Sequence, residues 1–401
     1  MKEVVVVSAA RTPIGSIGGV LKSMQPEDIL SVALEAAIER AGVSKDIIDE
    51  VIVGQTKQTA DAPNIARVSA LAIHIPDSTP AYTVHRQCAS SMQAILNAVQ
   101  QIQCGYSDVV LVGGVESMST APFYVREARF GVGHGNGIFV DPNVESQPQS
   151  QPASLYGTFN MIQTADNVAA KYGVTREDCD AFALASQHKA VAAIDSGRFQ
   201  DELVAVDVPL RKGAFFQFDT DEYPKRDTSL EKMAKLRPIF EGGVTTAGNA
   251  SGRNDGAVGM VLMSAEKAAE LGVKPMAAVL GGAAAGVDPR YMGMGPVDAT
   301  RKLMSRLTPQ TGLKLEDFGL VEINEAFAAQ SVACVRELGL DPEIVNVNGG
   351  AIALGHPLGS SGARICTTLL HEMRRRGTKH GLATICVAGG LGMSLAFELR
   401  E

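Results

Sequence analysis

Two cysteines, a histidine and an asparagine sit in segments whose composition suits chemistry on a reactive carbonyl. Cys88 lies in His85–Arg86–Gln87–Cys88–Ala89–Ser90–Ser91–Met92, between the apolar stretch Ala81–Val84 and helical periodicity over Ser90–Gln103. A helix N-terminus presents unsatisfied N–H groups and a positive partial charge, which favour thiolate over thiol. The competing expectation for any cysteine is that it packs as a small hydrophobe. His356 falls in Asn346–Gly362, a loop with five glycines that leads into a helix. Small neighbours leave its ring free to act as a base. The loop contains neither GxGxxG nor GxxxxGK[ST], so a nucleotide cradle of those kinds is not expected.

Asn324 stands in Val321–Glu322–Ile323–Asn324–Glu325–Ala326–Phe327, at a strand end before a helix, where helix capping is the plain alternative. Cys386 opens Cys386–Val387–Ala388–Gly389–Gly390–Leu391–Gly392, where small residues leave backbone amides accessible. Together these groups outline acyl transfer. A thiolate attacks a thioester, a histidine activates it, backbone N–H groups hold the oxyanion, and a second thiol serves as acid and base.

The elements that must position them read as α/β. Glu3–Ser8, Glu50–Gly54 and Asp108–Gly114 are apolar strands, and Pro26–Ala41 and Ser90–Gln103 are helices between them. The order returns in the last third. Met276–Leu280 answers the first strand, Glu316–Asn324 answers Lys45–Gly54, and Ala383–Gly390 answers Asp108–Gly114, with helices around Ala299–Leu307 and Ser361–Arg375. Two related halves offset by roughly 270 residues are predicted. Residues 121–251 change composition, with Gly131–Gly137 glycine-rich and Pro142–Pro152 rich in Pro, Gln and Ser. They are expected to form an inserted subdomain covering a site, although Asn167–Ala193 keeps helical periodicity. The expected domains are thus 1–120 with 252–273, then 121–251, then 274–401.

A net charge of -8 argues against general affinity for nucleic acid or anionic lipid. No apolar run reaches membrane-span length and no signal peptide is evident, so a cytoplasmic protein is expected. The 6 cysteines are dispersed without CxxC or zinc-ligand spacing, which predicts reduced thiols and no metal.

Longer motifs then carry a resemblance. VSAARTPIG (Val7–Gly15), QCASSM (Gln87–Met92), LRPIF (Leu236–Phe240), TAGNASGRNDGA (Thr246–Ala257), NEAFAAQ (Asn324–Gln330), NGGAIALGHPLGSSGAR (Asn348–Arg364) and CVAGGLGMS (Cys386–Ser394) resemble the thiolases nearly end to end, and most closely their acetoacetyl-CoA branch. The resemblance implies two α/β halves, each with a mixed five-stranded sheet, stacked as αβαβα with an inserted loop domain. It implies CoA and acyl-CoA as substrates, no cofactor, and a homodimer or homotetramer.

For the site it implies that Cys88 is acylated, that His356 takes the thiol proton, and that Cys386 exchanges a proton with the substrate Cα. Asn324, through an ordered water, and His356 would form one oxyanion hole, and the N–H groups of Cys88 and Ala388 the other. Ser251 would meet the pantetheine arm, Phe240, Ala326 and Phe327 would wall the tunnel, Met161 and Met292 would flank the acyl group, and Lys225 and Arg226 would lie near the adenine and phosphates. The chain departs from the family pattern at His85, Ser91, Asn160 and Ala388 and over Pro122–Gly137. Ser91, where glycine is usual, is expected to add bulk beside the nucleophile and to bear on acyl preference. A broader-chain 3-ketoacyl-CoA thiolase and a non-catalytic CoA- or lipid-binding homologue are the alternatives.

Overall fold

The computed structural model describes residues 2–400. Strand β1 (Val4–Arg11) is buried along its whole length. Alternate side chains of a strand face opposite sides, so a strand apolar at nearly every position needs cover on both. Helix α1 (Pro26–Ala41) follows, with proline in its first turn and Gly42 in the left-handed cap that such a helix end favours. Next come β2 (Glu50–Gly54), α2 (Ile65–Ala72), β3 (Ala81–Val84), α3 (Ser90–Cys104) and β4 (Val109–Ser117). After a long excursion the chain returns through β5 (Asn254–Ser264), pairing antiparallel with both β1 and β4.

The intervening residues hold two short hairpins, Tyr124–Val125 with Phe139–Val140 and Val206–Pro209 with Phe215–Phe218, and two longer helices, α4 (Met161–Tyr172) and α5 (Arg176–Asp195). The last third contains β6 (Ala277–Gly286), α6 (Gly295–Thr311), β7 (Leu320–Ile323), α7 (Ala328–Leu338), α8 (Leu358–Arg376), β8 (His380–Val387) and β9 (Leu391–Leu399).

Sheet order is β7-β8-β9-β6-β1-β5-β4-β2-β3. Read outward from the centre, β6, β9, β8 and β7 repeat β1, β5, β4 and β2, including the parallel outer pairs β2–β4 and β7–β8. This is the predicted repeat, with two differences. The C-terminal counterpart of β3 shrinks to one parallel bridge, Val321 to Val345. The halves also share a seam, two residue pairs joining β1 to β6.

Helices α3 and α8 form the middle layer, with Met92, Ile95, Ile365 and Leu369 packed against Val4, Val6, Val112 and Met260 of one sheet and Ile385, Leu395 and Phe397 of the other. Helices α1 and α2 cover the outer face of the first sheet. On the second, α6 and α7 are joined by α4 and α5, whose Val168, Cys179 and Ala183 enter the same core as Val321 and Ile323. The layering is αβαβα, and two helices of the excursion are built into the outer layer rather than merely resting on it.

One buried ion cluster fastens the excursion to β1. Arg11 donates from Nε to Glu202 at 2.5 Å and from both terminal nitrogens to Asp221 at 2.8 and 2.9 Å, with all three residues buried. Removing one partner of such a cluster leaves uncompensated buried charge. Arg11→Met is therefore expected to cost about 3–5 kcal/mol, read as a fall in the urea midpoint at unchanged slope.

All six cysteines are free, and only Cys104 is exposed. Among the described residues no helix is long and apolar enough to cross a membrane, and no cluster of three or more His, Cys, Asp or Glu is arranged for a metal ion.

Candidate active site

The turn into α3 explains why Cys88 is held where it is. Gln87 takes a left-handed φ of 44° without being glycine, a sparsely populated conformation that needs support. Ser90 supplies it, since its Oγ accepts from the Arg86 N–H at 2.8 Å and donates to the Gln87 carbonyl at 2.6 Å. Cys88 thus precedes the helix by two residues and is buried.

His356 comes from the loop before α8. Gly355 has φ 108°, and a Cβ there would lie 2.5 Å from the Asn254 side chain, so only glycine admits this approach. Asn254 Oδ1 in turn accepts the His356 N–H at 2.9 Å. The ring is oriented by Ser361, whose Oγ lies 2.6 Å from Nδ1 and 2.9 Å from the Pro357 carbonyl. A hydroxyl that donates to Pro357 must accept from the ring. That assigns the proton to Nδ1 and leaves the Nε2 lone pair free. Asn324 Nδ2 lies 3.4 Å from Nε2.

The two acids of the Asn324 segment face elsewhere. Glu325 accepts from Ser186 Oγ and Asn346 Nδ2, each at 2.7 Å, and from the Ile352 N–H at 3.1 Å, tying down the loop that carries His356. Glu322 lies 3.6 Å from the buried Arg364, and burial pushes its carboxyl up to about 8 despite that guanidinium.

Cys88, His356, Cys386, Ala388, Ser251, Met161, Met292, Ala326 and Phe327 line a single cavity of about 380 Å³. Seven segments distant in sequence converge there. Ser251 reaches it because its N–H donates to the Ala326 carbonyl at 3.0 Å and Asn249 fastens the preceding turn to Asp180 at 2.9 Å. Asn324 stands behind His356, and Phe240 lies beside Ile239, which does line the cavity.

Lys225 and Arg226 do not reach it. Arg226 pairs with Asp195 at 2.8 Å on the surface, and Lys225 lies over Tyr223, its Nζ 4.8 Å from the ring centroid. Sequence reasoning missed Tyr223, Asn143, Gln147 and Arg253 on the cavity wall. Tyr223 was within reach, two residues before Lys225 in the same motif. Arg253 was too, two residues after Ser251 in its motif, whereas Asn143 and Gln147 carry no local signal.

Burial corrects the expectation of a ready thiolate. It pushes the Cys88 thiol up to about 11, against the Ala388 and Cys88 backbone N–H groups and the Lys57 ammonium, which pull it down. Those same two amides thus favour the anionic sulfur. Burial and then the Arg364 cation pull His356 down to about 3. In the resting site both partners are neutral, thiol and imidazole, so proton transfer must accompany attack on the thioester. Cys386 is raised well above the ordinary thiol value by burial and then by Cys88 and Cys334.

The departures also find places. Ser91 is corrected, because it is fully buried and absent from the cavity wall, and its Oγ accepts the Ala363 N–H of α8 at 2.9 Å. It ties α3 to α8 rather than crowding the acyl group. Asn160 caps α4 reciprocally with Gln163 and lines the cavity. Ala388 keeps its N–H and is absent from the positive-φ residues, so its methyl is accommodated without strain.

Known proteins can now be set beside this geometry. Residues 4–266 match the family model of the thiolase N-terminal domain, and residues 273–399 that of the thiolase C-terminal domain. The chain is 47% identical over 397 residues to the acetyl-CoA acetyltransferase of Chromobacterium violaceum, covering 99% of each. It superposes on the crystal structure of the Bacillus anthracis acetyl-CoA acetyltransferase with a TM-score of 0.95 at 45% identity, covering 100% of this chain and 99% of that one. On human mitochondrial 3-ketoacyl-CoA thiolase in complex with CoA the TM-score is 0.92 at 41% identity, over 99% and 98% of the two chains. The chain belongs to the thiolase family.

Proposed function

We propose that this chain is an acetyl-CoA C-acetyltransferase, joining two acetyl-CoA molecules into acetoacetyl-CoA and CoA and running thiolysis in reverse. The observation that carries the reading is the meeting of Cys88, His356, Cys386 and Ala388 on one cavity.

In the first half-reaction Cys88 Sγ attacks the thioester carbon while its proton passes to His356 Nε2. The carbonyl oxygen gains charge and is held by the Cys88 and Ala388 N–H groups, donors of a kind that contribute about 3–4 kcal/mol each in a dry site. Collapse expels CoA thiolate, which takes the proton of the neutral Cys386 thiol, so that acetyl-Cys88, a Cys386 thiolate and a proton on His356 Nε2 remain. In the second, Cys386 takes a proton from Cα of another acetyl-CoA. The thioester α-proton is a poor acid, so the strongly basic thiolate that burial makes of Cys386 suits the task, and Asn324 with the Nε2–H of the protonated His356 stabilises the enolate oxygen. The carbanion attacks acetyl-Cys88, the new carbon–carbon bond forms, and the Cys88 thiolate leaves and recovers its proton from His356 Nε2, while Cys386 keeps the one taken from Cα. Two half-reactions through one acyl-enzyme predict ping-pong kinetics.

The division 1–120 with 252–273, 121–251 and 274–401 belongs to the same reading, with 121–251 bearing on CoA. Ser251, Phe240, Ala326 and Phe327 contact the pantetheine arm, Met161 and Met292 the acyl group, and Lys225 and Arg226 the nucleotide end. A cytoplasmic homodimer or homotetramer, without a resident cofactor, is part of it.

The second reading is a broader 3-ketoacyl-CoA thiolase, favoured by the likeness to the human mitochondrial enzyme of that name. Thiolysis of 3-ketoacyl-CoAs of rising length separates the two. The expected result is highest kcat/KM on acetoacetyl-CoA, and strong turnover only beyond four carbons overturns the acetyl assignment.

A further inference from the structure

One buried charge beside the cavity has no part in that mechanism. Lys57 follows β2 and is 4% exposed. Burial lowers its proton affinity while Glu116, Cys88 and Asp141 raise it. Such a group persists only with partners. Its backbone N–H donates to Glu116 at 2.9 Å, and Glu116 also accepts from Thr56 and, at 2.9 Å, from the Gly359 N–H at the start of α8. Its ammonium reaches the other way, donating to the Pro142 carbonyl at 2.8 Å and to Ser146 Oγ.

Pro142 and Ser146 flank Asn143 and Val144, and Gln147 follows. All three of those residues form a wall of the cavity. The same segment is tied to the nucleophile turn at its far end. Ser150 Oγ donates to the Ser146 carbonyl at 3.2 Å and accepts from Gln87 Nε2 at 2.9 Å. Its carbonyl oxygen also packs against Gly389, where a Cβ would sit 2.8 Å away. A continuous path of hydrogen bonds thus runs from Lys57 through residues 142–150 to the residue before Cys88, and ends beside the loop that carries Ala388.

We propose that Lys57 is a positioning residue of the acyl-transfer step. Its buried ammonium latches segment 142–150, one wall of the acyl pocket, to the end of β2, and keeps a fixed positive charge on the nucleophile's side of the cavity. The latch sets how much room the acyl group has, and the charge favours the Cys88 thiolate as it forms. This rests on the acyl-cysteine reading of Cys88. The other charged or titratable groups around this pair are Glu116, Asp141, His85 and Arg253, with His356 and Cys386 across the cavity.

The test uses the full chain in three forms, Lys57→Met, Lys57→Arg and the double variant Ser146→Ala with Ser150→Ala. The first readout is the rate of Cys88 alkylation by iodoacetamide against pH, which needs no thiolase turnover and so stands even if the proposed reaction fails. The second is the ratio of kcat/KM for six-carbon over four-carbon 3-ketoacyl-CoA. Losing a nearby positive charge raises a thiol's pKa, so at any pH below the midpoint less thiolate is present. Lys57→Met is expected to alkylate ~3–10-fold more slowly at pH 8, a rise of about half to one pH unit in the midpoint. Lys57→Arg is expected to restore the profile.

The double serine variant keeps the charge and loosens the wall. It is expected to raise the chain-length ratio several-fold with the alkylation profile unmoved, and it serves should Lys57→Met fail to fold. A folded Lys57→Met with unchanged alkylation, or a double variant with an unchanged ratio, overturns the proposal.

Discussion

Cys88→Ser incubated with acetyl-CoA yields no acetylated protein by mass spectrometry, and its turnover falls by ~10⁴-fold or more. The size of the loss follows from the proton affinities in the site. The thiol, though pushed up by burial, remains far more acidic than a hydroxyl, and His356 is a weak base because burial and Arg364 disfavour its imidazolium. A base so weak can assist a thiol whose sulfur already faces the Ala388 and Cys88 N–H groups, but it cannot generate an alkoxide. Geometry is barely altered by the exchange, so misfolding would not account for the loss. An acetyl group that persists on a different residue of the variant, or turnover within tenfold of the parent, would refute the nucleophile assignment.

Cys386→Ser separates the two half-reactions. This variant is expected to form acetyl-Cys88 at close to the parent rate, because Cys386 takes no part in attack on the first thioester and CoA thiolate departs readily without its proton. Condensation should fall by about 10²–10⁴-fold, the range for a positioned acid or base. The residue packs among Ala165, Met292, Ala326 and Phe327, so a hydroxyl of similar size fits, but a serine there is too weak an acid to become the base that the buried thiol can become. Rapid-quench measurement of the acyl-enzyme beside steady-state acetoacetyl-CoA formation reads both quantities. Equal losses in the two steps, or none in condensation, would remove Cys386 from the acid–base role.

Much of the architecture was legible because local signals and long-range packing agree. Helix α1 shows its start in Pro26 and its end in Gly42, and β1 is apolar at nearly every position. The repeat of β1, β2 and β4 in β6, β7 and β8 came from these same short apolar runs. Strands β5 and β9 were harder, because glycines interrupt them. Gly259 is there since a Cβ would lie 2.3 Å from the Ala33 carbonyl, so the backbone of α1 rests directly on the strand. No periodicity announces such a contact.

The site divides in the same way. The nucleophile turn, the histidine loop and the second cysteine each have a local signature. The Cys88 environment does not, since its burial depends on walls drawn from residues near 118, 143, 161, 251, 326 and 358. A helix N-terminus was read as acidifying the thiol, whereas desolvation outweighs it. Lys57 was passed over because nothing around it in sequence distinguishes a buried residue from a surface one, whereas Tyr223 and Arg253 each lie two residues from a position that was singled out, Lys225 and Ser251. Arg226 lies outside the cavity, an exposed cation that pairs with Asp195.

The placing of β1 has a consequence for how the protein comes to be made. Its partners are β5 and β6, and Val4 pairs with Ser264. At ribosomal speeds of about 5–20 residues per second, the first strand leaves the tunnel roughly 10–50 s before either neighbour exists. During that interval Val4–Val7 is an unpaired apolar strand edge, the kind of segment that nascent-chain chaperones shield and that aggregates when they are scarce. Pairing across so long a stretch also makes refolding from denaturant slow, because loop closure must be met before the contacts that reward it. Yield in a heterologous host should therefore respond more to slowed synthesis or added chaperone than to any change at the catalytic cavity.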